Sequence, residues 1–205
     1  KQMGFRALRV INEDFIARGA GFPTHPHHNM EIVTYVMKGA LAHRDSMGNS
    51  TVIHAGEVQR MTAGTGITHS EYNHSQNEDV ELFQIWILPE RQALTPGYEQ
   101  KQFSEADKEN KWALFASPDG ENGSVKIHQE VRIYSGLFDE QKLVPPATRR
   151  LKNFWLQVVS GEIVVAEKGA ALPPLTKGDA LIVEGQDLPN LEVSSRSHLL
   201  LFELA

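Results

Sequence analysis

The sequence predicts an all-β chain folded as two similar β-barrels in tandem, with a metal site in the N-terminal barrel only. Three observations carry that expectation. The texture is strand, glycine turn, strand almost throughout, and no segment sustains a helical period for more than a few turns. A pair of glycines recurs at one spacing in both halves. In the first half, three histidines and a glutamate fall two by two at strand spacing, His25 with His27 and His69 with Glu71.

The elements follow in order. FRALRVI (Phe5–Ile11) and EIVTYVMKG (Glu31–Gly39) are apolar, β-rich runs closed by polar or glycine residues, which marks strands. GFPTHPHHNME lies between them. In an extended strand, side chains two apart point to the same face, so His25 and His27 point together, as do His69 and Glu71 in AGTGITHSEYN. HRDSMGNS (His43–Ser50) has turn chemistry in Asp45, Gly48 and Asn49 and reads as a hairpin tip. VELFQIWILP is a strongly apolar strand that Pro89 ends. From Pro89 to Lys111 the chain is polar and charged, a connection between halves with room for a short helical turn. ASPDGENGS (Ala116–Ser124) is a loop, after which SVKIHQEVRIYSG resumes strand alternation. This places a first barrel with its linker over 1–110 and a second barrel over 111–205.

The halves repeat. Gly39 and Gly56 are 17 residues apart, Gly161 and Gly178 are again 17 apart, and the two pairs are offset by 122. An acid follows the second glycine each time, Glu57 and Asp179. The same offset carries His25, His27, His69 and Glu71 onto Ala147, Arg149, Leu191 and Val193, so the second copy offers no ligands.

Composition excludes several function classes. A net charge of −6 leaves no basic footprint for direct contact with nucleic acid. No apolar run approaches the length of a membrane span and no signal-peptide pattern is present, so a cytoplasmic protein is expected. The absence of cysteine fits a reducing compartment, removes thiolate chemistry and restricts any metal site to nitrogen and oxygen donors. The chain opens without an initiating Met, in what already reads as a strand, which suggests a fragment of a longer protein.

Two strands side by side would aim His25, His27, His69 and Glu71 at one point, a donor set suited to a divalent transition metal. Glu31 shares the strand parity of His25 and His27, so pattern leaves it open as the carboxylate ligand. Glu71 is favoured because it sits two residues from His69 on one strand. Otherwise Glu31 is a buried carboxylate that orients a ligand histidine. His28 points away from the His25/His27 face. His43 borders the site in a structural role, His54, His74 and His198 are surface residues, and His128 hydrogen-bonds where the second barrel begins. Gly64 and Gly66 meet a need for positive φ or close approach, and no lysine follows to make them a phosphate cradle. Met30, Val33, Tyr35, Met37, Phe83, Ile85 and Trp86 are expected to build core and site wall.

The repeated spacing and the His-X-His strand resemble the cupin superfamily. Its first motif appears as Gly21, His25, His27, Glu31 and Gly39, and its second as Gly56, Gly66, His69 and Asn73, with Gly56 two residues further from His69 than the usual pattern. Within that superfamily, THPHHNMEIVTYVMKGALAHRDSMGN with AGTGITHSEYN is similar to the pirin family, and the resemblance runs from MGFRALRV to the C-terminal FEL. It implies two jelly-roll-like cupin barrels, a stretch before Met3 that contributes surface near the site, and Fe(II) or a related divalent ion held by His25, His27, His69 and Glu71.

The resemblance further implies dioxygenation of quercetin at the 2,3 bond. Three neutral histidines and one carboxylate leave Fe(II) a residual positive charge, which favours an anionic hydroxy-ketone, with dioxygen as co-substrate. Glu71 is then also the catalytic candidate, accepting the substrate hydroxyl proton. The alternative implied by the family is an iron-containing, redox-sensing regulator that binds a transcription or enzyme partner.

Overall fold

The computed structural model describes residues 4–146, 151–167 and 170–205. The chain forms two compact units, one built from 1–103 with 117–130 and the other from 104–116 with 131–205.

The first unit is a sandwich of two antiparallel sheets. Its strands are β1 (Leu8–Ile16), β2 (Gly21–His27), β3 (Glu31–Lys38), β4 (Ala40–Asp45), β5 (Ser50–His54), β6 (Glu57–Thr62), β7 (Ile67–Asn73), β8 (Val80–Ile87) and β9 (Gly97–Gln102). One sheet has the order β1-β8-β3-β6-β9 and the other β2-β7-β4-β5. Side chains alternate across each strand. Ile16, Val36, Leu41, Ile53, Val80 and Leu82, drawn from both sheets, close one end of the interior, and Ile32, Met61, Ala63 and Ile67 close the other. The metal-ligating candidates lie between these two apolar plugs.

Two elements differ from the sequence reading. β1 runs on through Asn12, Glu13 and Asp14, which look like a turn by composition but pair with Gln84, Phe83 and Leu82 of β8. The supposed linker contributes β9, which pairs with β6 from Glu57↔Gln102 to Thr62↔Gly97. Its polar residues are tolerated because β9 is a sheet edge. The expected helical turn is α1 (Glu105–Lys108), capped by Ser104 and Asp107 in a reciprocal capping box. After β10 (Trp112–Ser117), the segment 117–130 with β11 (Val125–Lys126) returns to the first unit. There Arg60 Nε donates to Lys126 O at 2.7 Å and Lys126 N to Glu99 Oε2 at 2.8 Å.

The second unit contains β12 (Val131–Phe138), β13 (Gln141–Leu143), β14 (Asn153–Glu167), β15 (Ala170–Ala171), β16 (Leu175–Thr176), β17 (Ala180–Val183) and β18 (Leu191–Leu204). β14 fuses the counterparts of β3 and β4, bending through irregular register around Gly161, and β18 fuses those of β7 and β8. The duplication is retained at the level of single hydrogen bonds. Gly56 N donates to Val36 O at 2.9 Å and Gly178 N to Val158 O at 3.0 Å, both pairs offset by 122. The ladder Ile32↔Met61 through Tyr35↔Val58 is matched by Phe154↔Val183 through Gln157↔Ala180.

The offset does not hold to the end of the repeat. His43 pairs with Glu71, while its counterpart Val165 pairs with Leu191. The connection before β7 is therefore two residues longer than the one before β18. Glu71 corresponds to Leu191 rather than Val193, and His69 to Pro189 rather than Leu191. Leu191 and Val193 are buried in an apolar core. Ala147 and Arg149 lie outside the described residues.

Candidate metal centre

β7 alternates buried residues with exposed or half-buried ones, which turns Ile67, His69, Glu71 and Asn73 inward. β2 pairs with it through His25↔His69 and His27↔Ile67, so both β2 histidines face the same interior. The three imidazoles cluster, with ring centroids 4.8 Å apart for His25 and His27, 4.5 Å for His25 and His69, and 5.0 Å for His27 and His69. Their nearest ring nitrogens all lie within 4.8 Å of one another. His25 and His27 are partly exposed at the mouth between the two edge strands β1 and β2, whereas His69 and Glu71 are each 1% exposed.

The surroundings fix how each group presents itself. His25 Nδ1 lies 2.8 Å from Pro23 O; a carbonyl only accepts, so Nδ1 donates there and Nε2 is the nitrogen left to face the site. Burial, then the neighbouring His25, pushes His27 below the ordinary histidine value. Burial pushes His69 down to about 4, with Glu71 opposing and the other histidines reinforcing. Both rings are thus neutral at pH 7, the form that ligates. Burial alone would raise Glu71, but His43 and His69 beside it and a 2.9 Å hydrogen bond from Gln84 Nε2 to Oε2 carry it below its usual value. Trp86 stands edge-on to His27 at 5.1 Å and donates from Nε1 to Gln84 Oε1 at 3.3 Å, forming one wall.

His43 is closer to the centre than its sequence suggested. Its Nε2 donates to Asp45 Oδ2 at 3.2 Å, and its Nδ1 is 3.9 Å from Glu71 Oε1. Burial disfavours the charged ring, but Glu71 and Asp45 together raise His43 above the ordinary value. Asp45 is itself pinned by Met47 N, Asn49 N and Asn49 Nδ2 at 2.9, 3.0 and 2.7 Å. His43, His69 and Glu71 make a second group with ligand spacing. No spacing in the sequence marked His43; the signal was the Asp45–Asn49 turn that holds its partner.

Glu31 faces the other way. Between His27 and Glu31 the chain reverses through Asn29, whose φ is 49°, and parity is lost across that turn. Ile32, Thr34 and Val36 point into the interior, while Glu31, Val33 and Tyr35 point to the opposite face of β3. There Glu31 Oε2 accepts from His128 N at 3.2 Å and lies 3.3 Å from His128 Nδ1. Phe83 and Ile85 share that outer face, leaving Trp86 as the β8 aromatic residue that lines the site. His28, His54 and His74 are exposed. His198 is only partly so, and its Nε2 lies 2.9 Å from Ser135 Oγ.

The donor set suits a divalent metal. Both ring nitrogens of His69 and Oε1 of Glu71 are buried without a hydrogen-bond partner among the described residues. Buried polar atoms of this kind are costly unless something binds them, and a cation satisfies a carboxylate oxygen and the one ring nitrogen of His69 that bears a lone pair.

Residues 1–87 match the family model described as Pirin, and residues 114–204 the one described as Quercetinase C-terminal cupin domain. Two relatives called quercetin 2,3-dioxygenase, from Escherichia coli O157:H7 and K12, are each 45% identical over 204 residues, covering 98% of this chain and 84% of the relative. The crystal structure of YhhW from Escherichia coli superposes with a TM-score of 0.89 at 42% identity, covering 99% of this chain and 83% of that one. The structure titled bacterial pirin YhhW in complex with nickel(II) gives 0.88 at 41%, covering 98% and 84%. No helix among the described residues is long and apolar enough to cross a membrane. With matches that span nearly its whole length, the chain belongs to the pirin family of two-domain cupins.

Proposed function

We propose that this chain is a metal-dependent dioxygenase acting on a flavonol such as quercetin at its 2,3 bond, with Fe(II) held by His25, His27, His69 and Glu71. The observation that carries this reading is the clustering of His25, His27 and His69 at ligand spacing, with the buried Glu71 at ligand spacing from His69 on the same strand. When bound, the iron supplies Lewis acidity and redox access to dioxygen. The relatives named quercetin 2,3-dioxygenase support the choice of substrate class.

The protein's own groups have distinct tasks. Pro23 O holds His25 in the tautomer that presents Nε2. Gln84 holds Oε2 of Glu71, which leaves Oε1 to ligate and to take the flavonol hydroxyl proton. Trp86 gives a flat aromatic substrate a face to lie against, and closure of the mouth by that substrate excludes water from the reacting bond. Flavonol turnover by iron-loaded protein and by His27→Ala tests the assignment. The variant should lose turnover and bound iron together, and equal activity in both proteins would remove the metal-centred mechanism.

A further inference from the structure

Behind Glu71, on the closed side of the interior, polar residues form a line across the whole five-stranded sheet. Asn12 pairs with Gln84, Gln84 with Thr34, Thr34 with Gln59, and Gln59 with Gln100. All five share the inward face. Asn12 is exposed at the mouth, and Gln84 bonds Glu71. At the far end Gln100 donates to Val52 O and Glu57 Oε2, and Tyr98 Oη is 2.7 Å from both Thr51 Oγ1 and Gln100 Oε1. The middle of the line is different. Thr34 and Gln59 are 0% exposed, and Thr34 Oγ1, Gln59 Oε1 and Gln59 Nε2 have no hydrogen-bond partner among the described residues. His43 Nδ1 and Glu71 Oε1 are also buried without one.

The second barrel serves as an internal control. At the positions of Thr34, Gln59 and Gln84 its matching ladder carries Leu156, Leu181 and Leu201. Leu156 and Leu201 are fully buried in its core and Leu181 packs against them. The same backbone therefore accepts an apolar row, and strand packing does not require polarity here. The polar row accompanies the ligand residues and is replaced where they are replaced.

We infer that Thr34 and Gln59 hold ordered water inside the first barrel, on the side of Glu71 away from the mouth. Water matches the groups: a hydroxyl and an amide that together donate and accept, at a depth where unpaired amides are heavily penalised. The water site does not rest on the metal-centre reading.

The test has two arms. A crystal structure of the wild-type protein that resolves ordered solvent should show water within hydrogen-bond distance of Thr34 Oγ1 and of the Gln59 amide; side chains paired to protein with no water between them would overturn the inference. Oxygen-17 water relaxation dispersion should count fewer long-lived internal waters in Thr34→Val/Gln59→Leu than in wild type, and an equal count would overturn it. Xenon density beside Gln59 in pressurised wild-type crystals would mark an apolar gas pocket and also overturn it. Elemental analysis of the wild type reads the metal assignment separately, so either reading can fail alone. Should the double variant not fold, the wild-type arm decides.

Discussion

Replacing Gln84 by leucine, the residue the second barrel carries at that register, tests how far the surroundings of Glu71 tune the metal centre. Gln84 Nε2 donates to Glu71 Oε2 at 2.9 Å, and its Oε1 accepts from Trp86 Nε1 at 3.3 Å. Loss of an outer hydrogen bond that orients a ligand typically weakens metal binding about 10- to 100-fold, or about 1.4 to 2.7 kcal/mol. The substitution also strands a buried carboxylate oxygen, at about 1–3 kcal/mol in metal-free and metal-bound protein alike. Linkage separates the two costs, because only the first narrows the stability gap between the two forms at saturating metal. Anaerobic competition against a chromophoric chelator gives the metal Kd, and denaturant unfolding with and without chelator gives the gap. A Kd equal to wild type, with the gap unchanged, would refute the idea that Gln84 orients a ligand and would count against Glu71 as that ligand.

Three further outcomes follow from the geometry. Glu31→Gln should leave the metal Kd at the wild-type value, measured by the same competition, because Glu31 lies on the far face of β3 with His128. His198 is held down to about 4, first by burial and then by the Lys108 charge, against an ordinary value of 6.5. Above pH 6.5 folded and unfolded chains are both neutral there and this stability is fully present. As pH falls from 6.5 toward 4 only the unfolded chain takes up the proton, so stability should drop by about 2–3 kcal/mol, and His198→Gln should flatten that part of a pH series of urea titrations. Gly161→Ala would place a Cβ 2.1 Å from Ser197 Oγ and 2.5 Å from Arg196 O at a φ of 84°, whereas Gly178→Ala, at a φ of 88°, meets nothing within 4 Å. The second should cost about 1–2 kcal/mol for the left-handed backbone alone and the first clearly more, as read by the two melting temperatures.

Much of this architecture was legible because its signals are local and periodic. Strand parity places His25 with His27 and His69 with Glu71, and the recurrent glycine spacing reveals the duplication. What parity cannot see is a turn that resets it. Glu31 looks co-facial with the histidines only if β2 runs on through Asn29, and the positive φ at Asn29 shows that it does not. β1 was partly hidden for a different reason. Its inner face ends at an open mouth, so Asn12 and Asp14 occupy positions that an enclosed strand would fill with apolar side chains. His43 carries no spacing signature because its partners reach it from a turn and a neighbouring strand, contacts that only the folded register creates.

The shift in offset within the repeat bears on how one barrel holds a charged site and the other a hydrocarbon core. The β3–β6 and β14–β17 ladders agree residue for residue; beyond them the first copy carries two extra residues ahead of β7. That longer connection is tied down at several points. Asn29 N donates to Gly64 O at 3.0 Å, Ala63 N to Met30 O at 2.8 Å, and Thr65 N to Leu94 O at 2.9 Å. Gly64 lies so close to Leu94 that a Cβ there would sit 1.9 Å from its carbonyl oxygen. The connection leads into β7 at the register where His69 stands opposite His25, while in the second copy the residue two before Leu191, the counterpart of Glu71, is Pro189. A histidine substituted for Pro189 would therefore restore a donor without restoring the centre. The loop that fixes it, the Gln84 contact and the inward polar row would all still be missing, and the leucines at 156, 181 and 201 would exclude the water and charge a ligand set requires.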